Sequence, residues 1–113
     1  MAAYFSRTGG ASAPTVPTLV PVQLVTSGNY NVQLTDYYIG CNGTGITVTL
    51  PLGSTVPTGK VYQVKDESGT ATTNKITIAA TSPNLIDGSP TVILSINYAA
   101  VTMLWTGTVW SII

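Results

Sequence analysis

The sequence contains no histidine, a single cysteine and few charged side chains for its 113 residues. Without histidine, the chain lacks the commonest metal ligand and the usual catalytic base. A single cysteine, Cys41, excludes an intrachain disulfide and any metal site built from several cysteines. We therefore expect a protein that is not an enzyme and that holds no metal or cofactor.

Charge is scarce, at 7% of residues against about 25% in an average soluble domain. The four basic side chains equal the four acidic ones in number and form no cluster, which argues against nucleic-acid binding, because that depends on phosphate neutralisation. With a mean hydropathy of +0.35, free copies would lack the repulsion that discourages association. We expect partners to cover much of the surface.

Long apolar runs are also missing. The most apolar stretch, residues 92–105, is interrupted by Ser95, Asn97 and Thr102, and it falls short of the roughly 20 apolar residues of a membrane span. Residues 1–20 lack the apolar centre of a signal peptide. We expect no membrane partner and synthesis in a reducing compartment.

Glycine, proline and threonine are abundant, which favours strands and turns over helices. Short strand-like runs between turn signals predict an all-β fold, an antiparallel β-sandwich resembling a jelly roll, with about eight short strands. Alternation is clearest at Ile46, Val48 and Leu50, which should share one face. Turns are expected at residues 27–29 and 42–45. The predicted strands are residues 20–25, 37–41, 45–50, 60–65, 75–79, 91–96, 100–105 and 109–112.

The chain divides near residue 19. Residues 1–18 are small, polar and punctuated by proline, with Arg7 as the only charge, which predicts an extended N-terminal arm. Such an arm is either a frayed terminus or a segment that orders against a neighbouring subunit. Residues 19–113 are predicted to form the β-sandwich domain.

Half of the charged residues lie in the segment 59–71, namely Lys60, Lys65, Asp66 and Glu67. Paired carboxylates hydrolyse glycosides when they face each other about 5–10 Å apart. Neighbours on a strand point to opposite faces, so Asp66 and Glu67 are badly placed, and a glycosidase is the weakest alternative. We predict instead that Asp66 caps the turn through backbone amides while Gly69 takes a left-handed conformation.

The large aromatic side chains allow two interpretations. Exposed on one face, they would stack on sugars; in a small β-sandwich, most belong to the core or to a subunit interface. We favour the core or an interface. The residues concerned are Tyr30, Tyr37, Tyr38, Tyr62, Tyr98, Trp105 and Trp110.

An ordered series of short motifs runs through residues 36–113: Asp36-Tyr37-Tyr38-Ile39, residues 46–51, 59–71 and 74–78, Ile86-Asp87-Gly88, Tyr98 with Leu104, and residues 107–113. In this order they resemble a β-structured module of tailed-bacteriophage virion proteins, found in capsid decoration and head-fibre proteins and at tail-fibre ends. The resemblance implies a non-enzymatic virion component, commonly a homotrimer. It carries over no catalytic or ligand-binding residue, and it does not extend to the N-terminal third.

Within that family, a short arm before a single domain favours a capsid cement or decoration protein over a tail fibre with its long shaft. We expect a homotrimer, made in the host cytoplasm, that sits on the capsid surface of the virion. It would bind the outer shell of major capsid protein subunits and stabilise it. The alternative is a receptor-binding or fibre-tip domain that recognises host surface glycans.

Overall fold

The computed structural model describes residues 19–113; the predicted arm at residues 1–18 lies outside the described residues. This part of the chain forms seven strands and a short 3-10 helix at Gly53–Thr55, without any α-helix, so the all-β prediction is confirmed. The strands are β1 (Val22–Asn31), β2 (Tyr38–Thr49), β3 (Val61–Asp66), β4 (Ile76–Ala79), β5 (Thr91–Leu94), β6 (Ala100–Trp105) and β7 (Trp110–Ile112).

The strands belong to one sheet in which β2 has three neighbours. The order is β5-β4-β2-β3-β6-β7, and β1 pairs with β2 outside this path. β1 follows nearly the whole length of β2, whereas β3 pairs with Tyr38–Cys41 and β4 with Thr47–Thr49. Since β1 occupies one edge of β2, β3 and β4 must share the opposite edge, one after the other.

The strand pairing is mixed, whereas the sequence predicts antiparallel pairing throughout. β1, β3 and β4 all run parallel to β2, and only the β3–β6, β4–β5 and β6–β7 pairs are antiparallel. A jelly roll is not confirmed, because that architecture is built from two antiparallel sheets. The order and direction of strands depend on long-range packing, and the alternation of residues within a strand does not indicate which strands will be its neighbours.

The sheet is strongly curled at β1 and β2. A straight strand of ten residues such as β1 spans about 33 Å. The six residues 32–37 lead from the end of β1 back to the start of β2, which lies beside the start of β1, and they reach at most about 25 Å. Because this reach is shorter than a straight β1, the strand must bend. The register between β1 and β2 shifts on both sides of Ser27, which lets the pair bend. The inward side chains of β1 and β2, among them Val25, Cys41 and Val48, belong to the hydrophobic core.

Two predicted strands, residues 37–41 and 45–50, merge into the single strand β2. The reason is Gly43, which looks like a turn residue in the sequence. A Cβ atom there would lie 1.9 Å from the carbonyl oxygen of Thr26, so the glycine lets β1 approach β2 closely. Likewise, Gly28 lies within β1 at an irregularity of register, not in a turn between strands.

The core follows the alternation of the strands. Ile46, Val48 and Leu50 are buried together, as predicted. On β3 the buried face is Tyr62 and Val64, which places Val61 on the outer face. The largest aromatic side chains are core residues, as predicted: the ring centres of Trp105 and Trp110 lie 5.2 Å apart and those of Tyr62 and Trp110 lie 5.7 Å apart.

Candidate interaction surface

Asp66 joins two loops, residues 67–75 after β3 and residues 95–99 before β6, from inside the protein. Its carboxylate is fully buried and accepts hydrogen bonds from the amides of Ser68 (3.1 Å), Gly69 (3.1 Å) and Ala71 (2.9 Å), and from the Ser68 hydroxyl at 2.7 Å. A fifth hydrogen bond, 3.0 Å long, comes from the amide of Tyr98 on the second loop. Gly69 has a φ of 72°, so both parts of the predicted turn are confirmed.

These contacts keep Asp66 ionised. Burial acts to raise its pKa, but the hydrogen bonds from Ser68, Tyr98, Ala71 and Gly69 outweigh burial and hold the pKa at about 2. Glu67 is exposed and accepts a hydrogen bond from the Tyr38 hydroxyl. The two carboxylates thus do not face one another, as expected for neighbours at a strand end, and Asp66 serves to hold the two loops together.

A second buried carboxylate, Asp36, has no counterpart in the sequence predictions. It accepts hydrogen bonds from the Tyr30 hydroxyl at 2.6 Å and from the Gln33 amide at 2.8 Å. Burial, together with the hydrogen bond to Asp36 and its charge, raises the pKa of Tyr30 to about 12. Asp36 therefore fixes the short connection that returns the chain from β1 to β2. In the sequence, Asp36 is an isolated acid in a polar turn. Because such residues are common on protein surfaces, the sequence does not indicate that Asp36 is buried.

Cys41 should be inert to thiol reagents in the folded protein. Its side chain is fully buried on β2, and burial, followed by the charge of Asp66, raises the pKa of the thiol to about 11. Reaction with an aromatic disulfide at neutral pH should be roughly a hundredfold or more slower than in denaturant. Fast reaction of the folded protein would contradict this placement and show that β2 opens readily.

The outer edge of β1 is open in the described part of the chain, because β1 pairs with β2 alone. The Tyr38 amide donates to the Pro21 carbonyl at 3.2 Å. Alternate residues of a parallel strand bond to the same neighbour, so Val22 and Leu24 direct their amide and carbonyl groups away from β2. β1 carries no charged residue, and charge is one of the common protections of an exposed edge.

The edge of β7, in contrast, is covered. The Trp110 amide donates to the Leu85 carbonyl at 3.1 Å, and the Asp87 amide donates to the Trp110 carbonyl at 3.0 Å. The Asp87 carboxylate also accepts a hydrogen bond of 3.2 Å from the Ile112 amide. Within residues 19–113, loop residues therefore satisfy the backbone of the edge strand β7, whereas no segment of this part pairs with the outer edge of β1.

Exposed apolar side chains accompany this open edge. We call Leu19, Val20, Val22 and Leu24 the apolar strip; their exposed fractions run from 49% to 86%. Val20, Val22 and Leu24 alternate along the chain and so share the outer face. The strip offers apolar side chains beside backbone groups that pair with no strand in residues 19–113, although the Leu24 carbonyl accepts a 3.2 Å hydrogen bond from the Gln23 side chain. Together these groups suit the addition of another strand.

Tyr98 is the most exposed aromatic residue in the described part of the chain, with 61% of its surface accessible. Tyr30, Tyr37 and Tyr38 are half-buried. Burial confirms the core prediction for Tyr62, Trp105 and Trp110, and contact of the other tyrosines with a neighbouring subunit stays a prediction. No pattern in the sequence distinguishes Tyr98 from the other tyrosines.

No protein-family model and no curated protein matches the chain. Residues 19–113 contain no group of three or more histidine, cysteine, aspartate or glutamate side chains placed to bind a metal ion. They also contain no helix with the length and apolarity required to cross a membrane.

Proposed function

We propose that this protein is a trimeric capsid cement protein of a tailed bacteriophage, which binds the outer shell of major capsid subunits and stabilises it. The observation that carries the proposal is the open, uncharged edge of β1 with its apolar strip. A surface of this kind binds through burial and backbone pairing, and it needs no charged or catalytic group.

The attachment would combine two contributions. Burial of a leucine or valine side chain of the apolar strip contributes about 1.5–3 kcal/mol. An extended segment of a capsid subunit, added beside β1, would pair with the outward backbone groups of Val22 and Leu24 and would replace the Gln23 side chain at the Leu24 carbonyl. In a trimer, three such contacts act together on a symmetric site, so each can be weak while the whole is retained.

Residues 1–18 have a part in this proposal because they lead directly into the apolar strip. We assign to them contact with the shell or with a sister subunit, with Arg7 as a polar anchor. Reinforcement would be mechanical: a protein that bridges neighbouring capsid subunits resists their separation by the pressure of packaged DNA. No chemical step is involved.

Capsids of the parent phage, prepared without this protein, provide the test. Wild-type protein should co-sediment with them, and the Val22→Lys/Leu24→Lys variant should bind at least about tenfold more weakly, because two ammonium groups would be buried without partners. The matched control is Ile93→Lys/Val109→Lys, which adds the same charge at exposed apolar positions away from β1.

Retained binding by the Val22→Lys/Leu24→Lys variant would reject β1 as the attachment edge. Deletion of residues 1–18 should leave a folded domain that fails to decorate capsids, and normal decoration by that domain would remove the role given to the arm. Absence of wild-type binding to capsids would reject the function itself. Circular dichroism of each variant checks that the fold is intact.

A second candidate function, recognition of host surface glycans by a receptor-binding or fibre-tip domain, is favoured by one observation. Tyr98 exposes an aromatic ring to solvent on a rigid loop, where a sugar ring would have access to it. Binding of the protein to host cells, absent for a cement protein, would favour this second function.

A further inference from the structure

The backbone of Tyr98 is held in a conformation that tyrosine rarely adopts. Its φ of 63° lies in the left-handed region, where glycine and asparagine are usual. A turn needs no aromatic side chain at such a position, and the strain costs about 1–3 kcal/mol. Residues kept in strained conformations cluster at binding sites, so the ring itself calls for an explanation.

Three contacts fix this tyrosine. The buried carboxylate of Asp66 accepts its amide hydrogen bond at 3.0 Å, and the Lys65 ammonium donates to its carbonyl at 2.6 Å. The hydroxyl end of the ring lies against Gly69, where a Cβ atom would approach the ring carbon Cζ to 2.3 Å. The exposed ring is therefore oriented before any ligand arrives, which reduces the entropic cost of binding.

Lys65 and Asn97 provide hydrogen-bond donors near Tyr98. The Lys65 ammonium lies over one side of the Tyr98 ring, 5.7 Å from its centre, and uses one of its three N–H groups on the Tyr98 carbonyl. Asn97, the preceding residue, accepts a 3.0 Å hydrogen bond from the Thr72 amide through its side-chain oxygen. This bond orients the Asn97 amide and leaves its two N–H groups for a ligand.

An oriented aromatic ring beside hydrogen-bond donors restricts the ligand class. Nucleic-acid bases also stack on tyrosine, but such sites need a positively charged groove along the phosphates, and this chain has four basic side chains balanced by four acidic ones. A pyranose ring has an apolar C–H face to lay on the tyrosine and hydroxyl oxygens to accept from the donors.

We propose that Tyr98, Asn97 and Lys65 form a binding site for one pyranose ring of a surface saccharide, stacked on the Tyr98 ring. The inference rests on the second candidate function for its biological use and is independent of capsid attachment through β1. A shallow site of this kind binds a single sugar with a dissociation constant on the order of 1–10 mM. Three copies in a trimer would raise the apparent affinity for a branched glycan.

Titration of the full-length, isotope-labelled protein with methyl glycosides of glucose, galactose, mannose and N-acetylglucosamine tests the site by NMR. At least one sugar should cause saturable shifts centred on the amides of Gly69, Asn97 and Tyr98. Tyr98→Asn should weaken that binding at least about tenfold, since asparagine tolerates the left-handed backbone but provides no ring. Tyr98→Phe keeps the ring and should bind within about threefold of the wild type.

Saturable shifts at these amides that disappear in Tyr98→Asn and persist in Tyr98→Phe would support the site. No shift with any of the four sugars, shifts centred elsewhere, or equal binding by a folded Tyr98→Asn variant would overturn it. The position of the shifted amides in the wild-type protein tests the site even if Tyr98→Asn fails to fold. Capsid co-sedimentation of Tyr98→Asn should equal that of the wild type, so the two proposals fail separately.

Discussion

Replacement of Asp66 by alanine should lower the free energy of unfolding by about 4 kcal/mol, a large part of the 5–15 kcal/mol typical of a whole domain. The substitution removes an acceptor of five hydrogen bonds and leaves the buried amide of Ala71, among others, without a partner. Urea denaturation followed by tryptophan fluorescence measures the loss, because Trp105 and Trp110 are buried in the same core.

Glu67→Ala is the matched control, since it removes the same charge from the next residue. Glu67 is exposed, and its contact with the Tyr38 hydroxyl lies at the surface, so its loss should cost less than about 1 kcal/mol. Equal effects of the two substitutions would mean that charge, not the buried hydrogen bonds, accounts for the stabilisation by Asp66.

The same carboxylate predicts how stability depends on pH. The pKa of Asp66 is 3.8 in an unfolded chain and about 2 in the folded protein, so the unfolded state binds the proton more readily. The stabilisation is complete above pH 3.8 and is lost as the pH falls through 2. Denaturation curves of Glu67→Gln should show the same loss of stability at low pH as those of the wild type. If the wild type kept its full stability at pH 2, the low pKa of Asp66 would be contradicted.

The second large effect is expected from Gly43→Ala, at about 3 kcal/mol of unfolding free energy. The added methyl group would lie 1.9 Å from the backbone oxygen of Thr26, a separation that backbone atoms cannot relieve by a change of rotamer. β1 must therefore move away from β2. Hydrogen exchange should show faster exchange of amides in β1 and in the adjoining part of β2, with β6 less affected.

Gly45→Ala controls for the intrinsic effect of replacing a glycine on β2. Gly45 has a φ of 65°, and a Cβ atom added there would meet no other atom within 4 Å, so only backbone strain of about 1 kcal/mol is expected. If Gly43→Ala were no worse than Gly45→Ala, the close parallel approach of β1 to β2 would be wrong.

Local features of the fold were predictable because they depend on residues close together in the chain. The alternation of Ile46, Val48 and Leu50 indicates their shared burial, residues 100–105 are predicted as the strand that forms β6, and Asp66 with Gly69 predicts the turn. The continuity of β2 was missed, since a glycine at a close approach of strands, such as Gly43, looks like a turn glycine in sequence. The parallel pairing of β2 was missed because it depends on long-range packing.

The candidate site was less predictable than the fold. Alternation predicts a strand through Val22 and Leu24, but whether a strand lies at an edge depends on the whole sheet. Tyr98 takes a left-handed conformation because Lys65 and Asp66, at the end of β3, hold it through hydrogen bonds, and nothing in the sequence next to Tyr98 indicates this. Surfaces of this kind arise from tertiary contacts, which single-sequence patterns do not contain.

The three partners of β2 have a consequence for how the chain folds. Tyr38 lies between Val22 and Gln63, and Thr47 lies between Asn29 and Thr77. Neither end of β2 has both of its neighbouring strands until residues far apart in the sequence have come together. Folding is slow in proteins dominated by such distant contacts. During synthesis, β1 and β2 should leave the ribosome well before β4 can join them. We therefore expect slow, all-or-none folding, completed only after most of the chain has emerged.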